Sequence, residues 1–418
     1  MSPPLFRMLL LLLSVLCWLP VSAAPEAPRI PDQTFSAATL GVPANQSAPV
    51  TTSLQAAIDH VARAGGGRLV LVAGDYVSGP LTLPSRIDLH LARGAVLRLL
   101  PLGADYPVSA NRYTSLLSAS RATDLRISGE GTIDGGGPTW WRAFRAKELT
   151  PRRPQLVSFE RCDRVEFSGV TFRDPPNTHV ALRLCREVVF RDLILDAPDD
   201  SPNTDGLNIS GKNYLIERCR ISTGDDNIVI LTHSATDWPS PVCENFVIRD
   251  CALGFGHGLS IGSYTGGGIS GLLAERITFD KTTSGIRLKA DRDRGGLVEN
   301  LVYRDIIMHE VKNPVFISSY YPKEPKSPSL ATTATPTENT PRWKNILIEN
   351  LAATGGENSV ILWGLPERPL EDVVIRRTTI ASKRGARLYY AGNLTMDAQL
   401  RTDAAPAIDR YPVTTSSP

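Results

Sequence analysis

The sequence predicts an all-β chain, folded as a single right-handed parallel β-helix with a short helix over its amino-terminal end. Two observations predict this fold. A pattern of apolar residues rich in Val, Ile and Phe recurs about every 25 residues, and Gly, Asn, Asp and Pro separate the repeats. The apolar runs are too short and too β-branched for helices. The 418 residues suit one solenoid, because a solenoid lengthens by adding coils.

The repeat is visible in eight strings that share one order of apolar and polar residues. Their reference positions hold Phe167, Phe190, Ile216, Ile248, Ala274, Tyr303, Ile348 and Ile375. Three residues later the strings are again mostly apolar, and this second position would place Cys219 beside Cys251. Because neighbouring coils pair along parallel ladders about 4.8 Å apart, we expect both positions to stack along the core.

The amino-terminal segment 53–67 predicts a short amphipathic helix that covers the open edge of the first coil. Ser53 has the character of a cap residue, and Gly65 is a stop signal. Between them, apolar residues recur at helical spacing at Leu54, Ala57, Ile58 and Val61.

The chain divides into three predicted parts. Residues 1–24 read as a secretory signal, with Arg7 before a long apolar run and a small-residue cleavage site. Residues 25–395 form the β-helix domain, and residues 396–418 lose apolar density and predict a loose tail. No second long apolar run follows, so the expected product is an exported, extracellular or periplasmic protein without a membrane segment.

Composition excludes several classes of function. The formal net charge is +2, and Lys and Arg are scattered along the repeats, which argues against a nucleic-acid partner. Removal of the signal leaves five Cys residues, an odd number without metal-ligand spacing. We interpret them as buried thiols, with one or two disulfides as the alternative, and expect no metal, no cofactor and a monomeric chain.

Four polar clusters follow the reference strands of successive coils. They are NTDG around Asp205, GDDN with Asp225 and Asp226, GHG around His257, and RLK at 287–289. Each cluster alone is typical of a solvated turn or strand edge. In a solenoid, however, groups one repeat apart lie side by side, so the ordered series predicts one cleft with three carboxylates, an imidazole and two cations.

This set of groups suits the hydrolysis of an acidic polysaccharide. Glycoside hydrolysis needs a protonated acid for the leaving oxygen and a carboxylate that activates water or attacks carbon. Crowded carboxylates raise one another's pKa, which keeps one of them protonated near neutral pH. Arg287 and Lys289 could bind the carboxylate of a uronic acid.

The order NTD, GDD, GHG and RLK resembles that of the polygalacturonases, glycoside hydrolase family 28, over most of the chain after the signal. The resemblance implies inverting hydrolysis of α-1,4-galacturonan in a right-handed parallel β-helix. It implies that Asp225 is the general acid and that Asp205 and Asp226 hold the attacking water. His257 would support the protonation state of the acid.

The resemblance also implies which residues bind the substrate. Asn203 of the first motif, with Arg287 and Lys289 of the last, would contact the uronate chain. The family carries a substrate-site Tyr one coil further on, and Tyr321 fits that offset better than Tyr320.

Two positions depart from the family pattern. Many relatives have Cys directly after GDD, whereas this chain has Asn227, so the disulfide often found there should be absent. Leu288 replaces the usual Ile of the last motif, which is a conservative change at a core-facing position.

Three alternatives remain open at the level of sequence. One is a calcium-dependent pectate lyase, one is a hydrolase of rhamnogalacturonan or substituted pectin, and one is a non-catalytic polysaccharide-binding β-helix or adhesin. Endo and exo action also both fit. Loops that close one end of the cleft would decide between them, and the segments 232–242, with Trp238, and 322–342 are the candidate loops.

Overall fold

The computed structural model describes residues 24–103, 106–233 and 239–412, and this part of the chain forms the predicted right-handed parallel β-helix. The expected signal segment, apart from Ala24, lies outside the described residues, as does Trp238. No helix within the described ranges is long and apolar enough to span a membrane.

The described strands have the following bounds in chain order: β1 (Thr34–Ser36), β2 (Gly67–Leu71), β3 (Gly74–Ser78), β4 (Leu81–Thr82), β5 (Ile87–Leu91), β6 (Ala95–Leu99), β7 (Val108–Ser109), β8 (Arg112–Tyr113), β9 (Leu117–Ser120), β10 (Thr123–Gly129), β11 (Thr132–Asp134), β12 (Val157–Glu160), β13 (Asp163–Ser168), β14 (Thr171–Arg173), β15 (Val180–Arg191), β16 (Ile194–Asp196), β17 (Leu207–Glu217), β18 (Arg220–Ser222), β19 (Ile228–Ile230), β20 (Cys243–Arg249), β21 (Ala252–Leu253), β22 (Leu259–Ile261), β23 (Ile269–Asp280), β24 (Ser284–Lys289), β25 (Leu297–His309), β26 (Asn313–Ser318), β27 (Arg342–Gly356), β28 (Val360–Trp363), β29 (Glu371–Ser382), β30 (Ala386–Tyr389), β31 (Leu394–Thr402) and β32 (Ile408–Tyr411).

These strands wind around the core as three parallel faces. Sheet 1 runs from β1 through β2, β5, β10 and β13 and includes the second halves of β15 and β17. It continues with β20, β23, β25, β27, β29 and β31. Sheet 2 begins with β3, β6, β11 and β14. Sheet 3 contains β9, β12, the first halves of β15 and β17, and then β19, β22, β24, β26, β28, β30 and β32.

The predicted register of the repeats is confirmed. The eight reference residues pair with one another along sheet 1, and all of them are buried. Side-chain stacking follows from this register, since the rings of Phe167 and Phe190 lie 4.9 Å apart with an interplanar angle of 16°. Tyr214 and Phe246 repeat the same geometry two coils further on. The parallel register therefore builds one continuous apolar core.

The cysteines are buried free thiols, as interpreted from the sequence. All five Cys residues of the described chain are unpaired. Backbone pairing places the coil of Cys162 against that of Cys185, and the coil of Cys219 against that of Cys251. These thiols occupy core positions that apolar residues hold in other coils.

The capping helix, α1 (Thr51–Arg63), covers the first coil, and its four predicted apolar residues are buried. The prediction that Ser53 caps it was wrong. The helix already begins at Thr51, and the Ser53 hydroxyl donates to the Val50 carbonyl at 3.1 Å. Gly65 follows the helix in a left-handed conformation, with φ of 97°. A second helix, α2 (Gly137–Arg145), was not predicted; it buries Trp140 and Trp141 beside the coils.

The predicted loose tail was wrong for most of its described residues. Strand β31 crosses the predicted boundary at residue 396 and pairs with β29, and β32 pairs with β30. Backbone hydrogen bonds hold this last coil, and alternate β31 residues, Leu394, Met396, Ala398 and Leu400, also pack half-buried against the core. The β31 residues between them and most of β32 are exposed. Residues 413–418 lie outside the described chain.

The segment 322–342 is a surface loop, as predicted, and polar contacts hold it against the β-helix. The Tyr390 hydroxyl donates to the Pro328 carbonyl at 2.8 Å, and Arg292 donates to the Thr332 carbonyl at 2.8 Å. At the end of the loop, the Gly295 amide donates to the Asn339 carbonyl. The loop therefore has a defined position at the carboxyl-terminal side of the structure.

Replacement of Phe190 by Ala should remove one ring of a core stack and lower the free energy of unfolding by about 3–5 kcal/mol. Ile194→Ala is the matched control, because Ile194 lies on the same coil but is 43% exposed, and its loss should cost no more than about 0.5 kcal/mol. Chemical denaturation of both variants measures the difference. Equal losses would contradict the stacked core.

Candidate active site

The four polar clusters converge near the amino-terminal ends of successive strands of sheet 3. Asp205 lies just before β17, Asp225 and Asp226 just before β19, and His257 just before β22, while the RLK motif lies on β24. These four strands are successive neighbours in the sheet. The structure thus brings together residues that are more than 80 positions apart in the sequence.

Close backbone approach explains two of the motif glycines. A Cβ at Gly224 would lie 2.0 Å from the Ser201 carbonyl oxygen. A Cβ at Gly258 would lie 2.0 Å from the Ser284 carbonyl oxygen, and Gly258 also has φ of 76°. Only glycine fits both places, so the turns that carry the polar groups can pack directly against the adjacent coils.

Asp226 is the centre of the charged cluster. Its Oδ1 accepts from Ser260 Oγ at 2.6 Å and from Arg287 at 2.9 Å, and its Oδ2 accepts from Lys289 Nζ at 2.7 Å. Burial alone would raise the pKa of Asp226, but Lys289 and Arg287 together hold that pKa below its ordinary value. Asp226 is therefore a carboxylate at neutral pH. Leu288, which lies between the two cations in the sequence, is buried in the core as expected.

Asp205 has the opposite electrostatic environment. Burial, followed by the negative charges of Asp225 and Asp226, raises its pKa to about 8. Its Oδ2 accepts from Asn208 Nδ2 at 2.8 Å. The buried His179 ring fixes the backbone beneath it, with Nδ1 2.9 Å from the Asp205 carbonyl oxygen. Asp205 therefore retains a proton at neutral pH while Asp226 does not.

Asp225 lies between a neutral donor and an imidazole. Asn203 Nδ2 approaches Asp225 Oδ2 at 3.4 Å, and His257 Nε2 lies 3.8 Å from Asp225 Oδ1. The Asn203 amide has a fixed orientation because its Oδ1 accepts from Arg153 at 2.7 Å. The Arg153 guanidinium is buried, donates to the Pro176 and Pro202 carbonyls, and packs on an aromatic ring.

His257 is oriented by the next coil. Thr283 Oγ lies 2.7 Å from His257 Nδ1, so Nε2 faces the carboxylates. Burial lowers the pKa of His257, and the neighbouring Asp225 offsets this effect only in part. The imidazole is accordingly neutral at neutral pH in the unliganded site.

Tyr321, and not Tyr320, faces the two cations. The Tyr321 ring centre lies 5.5 Å from the Arg287 guanidinium carbon and 5.2 Å from Lys289 Nζ. Tyr320 instead packs against Trp363, on the other side of the strand end. The sequence offset had therefore identified the tyrosine that lies at the site.

Asn227 links the GDD turn to the GHG turn. Its side chain is buried, and Nδ2 donates to the Ile221 carbonyl at 3.0 Å and the Phe255 carbonyl at 2.9 Å. Its Oδ1 accepts from the Gly258 amide at 2.7 Å. One neutral side chain thus cross-links three backbone segments around the carboxylates.

Several supporting residues were not identified from the sequence: His179, Ser260, Arg153, Asn208 and Thr283. Ser260 could have been found from the strand register, because it pairs directly with Arg287. Asn208 lies on the same ladder, because it pairs with Val229, which pairs with Ser260. His179, Arg153 and Thr283 lie in turns and corners of variable length, where the repeat gives no register. In the described ranges, no group of three or more His, Cys, Asp or Glu is arranged to hold a metal ion.

Comparison with known proteins identifies the family. Residues 101–391 match the model for Glycosyl hydrolases family 28. The chain belongs to this family. It is therefore a glycoside hydrolase, and the resemblance to polygalacturonases seen in the sequence is confirmed.

Individual relatives match over most of their length. An endo-polygalacturonase of Pectobacterium carotovorum subsp. carotovorum is 27% identical over 333 residues, which cover 73% of this chain and 78% of that protein. An endo-polygalacturonase of Pectobacterium parmentieri is 27% identical over 367 residues, 82% of this chain and 85% of that protein. The solved structure of a hyperthermoactive exopolygalacturonase from Thermotoga maritima superposes with a TM-score of 0.78 at 26% identity, and covers 90% of this chain and 94% of that one.

The proton on Asp205 should make stability depend on pH in a predictable direction. Its pKa is about 8 in the folded chain against a reference of 3.8, so the folded state binds a proton that the unfolded chain releases. The contribution is present below pH 4 and is lost as pH rises through 8. Relative to wild type, Asp205→Asn should therefore gain up to about 4 kcal/mol as the pH rises from 4.5 to 8, since each unit of pKa difference is worth about 1.4 kcal/mol. Thermal unfolding at both pH values measures this gain, and the exposed Asp199→Asn control should show none.

Asn227→Ala should lower both the free energy of unfolding and turnover, because it leaves buried backbone groups without partners. We expect a loss of about 2–4 kcal/mol, from several buried hydrogen bonds at once. Asn393→Ala, which removes an exposed side chain at the far end of the chain, is the control. Denaturation and activity assays should both separate the two variants; a stable, fully active Asn227→Ala protein would refute the role of the cross-link.

Proposed function

We propose that this family 28 hydrolase cleaves α-1,4-galacturonosyl linkages of pectin, or of oligomers derived from it, by inverting hydrolysis. The observation that carries the proposal is the pair of opposite environments within one carboxyl cluster. Asp226 is ion-paired to two cations, while Asp205 has a pKa of about 8. The site thus holds a proton and a carboxylate side by side near neutral pH, which is what glycoside hydrolysis requires.

The roles follow from where each carboxyl group lies. Asp225 would be the general acid that protonates the leaving glycosidic oxygen, supported by Asn203 and the neutral His257. Asp205 and Asp226 would hold the water that attacks the anomeric carbon from the opposite face. The mechanism requires that the proton held by Asp205 in the free site pass to Asp225 when the substrate binds, which leaves Asp205 ionised as a base. The attacking water then transfers its proton to this carboxylate pair.

The donors of the two cations favour a uronic acid in the cleft. Arg287 and Lys289 both pair with Asp226, and each side chain has further N–H donors beyond that contact. An uronate carboxylate could share their remaining donors, and the Tyr321 ring beside them offers an apolar surface to the sugar. The polygalacturonase names of the relatives agree with this substrate class, and export of the chain would bring it to pectin.

Wild-type protein should release reducing sugar from polygalacturonate, and Asp225→Asn should lower the rate by about 100-fold or more while folding is preserved. The first product should carry the inverted anomeric configuration, which NMR detects before mutarotation. Retention of configuration would contradict the proposed mechanism. A product that absorbs in the near ultraviolet would indicate elimination by a lyase instead.

A galacturonide with an acidic aryl leaving group distinguishes the role of the general acid from the role of the residues that hold the attacking water. Such a leaving group needs no protonation, so Asp225→Asn should hydrolyse it far better, relative to wild type, than it hydrolyses the polymer. Asp226→Asn is the matched control and should be impaired on both substrates. The reverse pattern would make Asp226 the acid and overturn the roles of both residues.

A further inference from the structure

Arg153 is a buried cation that holds the turn in front of the carboxyl cluster. Its guanidinium donates to the Pro176 carbonyl at 2.7 Å and to the Pro202 carbonyl at 2.7 Å. A further donor of the same group reaches Asn203 Oδ1 at 2.7 Å. The guanidinium carbon lies 3.9 Å from the centre of the Phe144 ring of α2. One side chain therefore joins a corner of the preceding coil, helix α2 and the NTDG turn.

Arg153 remains charged although it is buried. Only 3% of the residue is exposed, and burial, followed by the positive charges of Arg112 and Arg145, lowers its pKa to about 10. The side chain is therefore protonated at neutral pH. A guanidinium has N–H donors and no acceptor, so every group that forms a hydrogen bond with it must present an oxygen.

This one-sided chemistry fixes the orientation of the Asn203 amide. An Asn side chain carries an acceptor oxygen and a donor NH2 group, and its two orientations exchange these groups. Because Arg153 can only donate, Oδ1 faces it, and Nδ2 is turned towards Asp225 Oδ2 at 3.4 Å. The backbone of this turn is fixed as well. Asn203 has φ of 55°, a left-handed conformation that Asn tolerates, and Thr204 Oγ1 accepts from the Gly224 amide at 2.9 Å.

The two carboxyl oxygens of Asp225 have different surroundings. Oδ1 accepts from the Asp226 amide at 2.9 Å, and His257 Nε2 lies 3.8 Å from it. Oδ2 faces the Asn203 amide at a distance that is long for a hydrogen bond. Hydrogen bonds to an ionised acceptor are shorter and stronger than those to a neutral one. The contact between Asn203 and Asp225 should therefore tighten when Asp225 becomes an anion.

We propose that Arg153 is a positioning residue for the general acid, and that it acts by holding the NH2 group of Asn203 towards Asp225. The inference rests on the proposed function, in which Asp225 protonates the leaving oxygen. In that step the O–H bond of Asp225 breaks, an O–H bond forms on the glycosidic oxygen, and the electron pair of the broken C–O bond passes to that oxygen. The negative charge that develops on Asp225 then meets a fixed donor. A rotated amide would present a second oxygen and oppose the same charge.

The test compares Arg153→Gln with Arg145→Gln, a matched control on α2 whose side chain is half-exposed and pairs with Asp200. The substituted amide of Arg153→Gln can still donate to the carbonyls, but it can also accept, so it no longer fixes Asn203. Arg153→Gln should lower kcat on polygalacturonate by about tenfold or more and change KM by less than about twofold. On the galacturonide with an acidic aryl leaving group, its rate should lie within about twofold of wild type. Arg145→Gln should match wild type on both substrates.

Three further readouts separate positioning from a structural role. The alkaline limb of kcat/KM should move to higher pH in Arg153→Gln, because the anion of Asp225 loses a donor. Arg153→Lys, which retains a cation that can only donate, should recover most of the polymer rate. In an Asn203→Ala background, Arg153→Gln should lower kcat by less than about twofold further, because the amide through which it acts is already missing. Thermal unfolding of each variant confirms that it is folded.

Three results would overturn the inference: equal losses of Arg153→Gln on the polymer and the aryl galacturonide, a full loss that persists in the Asn203→Ala background, or wild-type rates for Asn203→Ala. The last variant leaves the buried cation in place, so it decides the question even where Arg153→Gln does not fold. Wild-type protein that hydrolyses no galacturonan would instead refute the proposed function. Carbon-13 NMR then still tests the contact itself, because the Asp225 resonance should titrate at higher pH in Arg153→Gln than in Arg145→Gln.

Discussion

The parallel register between successive coils of sheet 3 is the constraint on which the site depends. Each turn of the β-helix returns the chain to the same face, about 4.8 Å further along the axis. Asp205, Asp226 and Lys289 therefore become neighbours although 84 residues separate the first from the last. The stacked core residues of sheet 1 hold this register, and Asn227 adds a buried cross-link where the GDD and GHG turns meet. The geometry of the carboxylates is thus a consequence of core packing.

Electrostatics then gives each carboxyl group a separate state. Lys289 and Arg287 keep Asp226 ionised, whereas burial and the negative charges of its neighbours keep a proton on Asp205. Placing three carboxyl groups together opposes folding at neutral pH, because one of them must remain neutral or be desolvated as an anion. The energy that the apolar core supplies is what allows this arrangement to persist. A trade-off between stability and activity is therefore built into the site.

Much of this structure could be predicted from the sequence, because a repeat carries its own register. The eight reference residues, the buried face of α1 and the convergence of the four motifs all follow from spacing. The prediction failed where the pattern of side chains along the sequence does not indicate the backbone structure. Helix α2 interrupts the repeat, and strands β31 and β32 continue it although only alternate β31 side chains pack against the core. Within the site, Arg153 and Thr283 act through turns whose lengths vary, so no periodicity could place them.

The chemistry of the carboxyl cluster starts from a free site in which Asp205 holds a proton beside an ionised Asp226. Carbon-13 NMR of protein labelled at the Asp carboxyl carbons, with resonances assigned through single Asp→Asn variants, measures this arrangement. We expect the Asp205 resonance to titrate near pH 8 and the Asp226 resonance to titrate below the ordinary range of an Asp side chain. If both resonances titrated together near pH 4, the two groups would be electrostatically equivalent, and the division of roles between them would be contradicted.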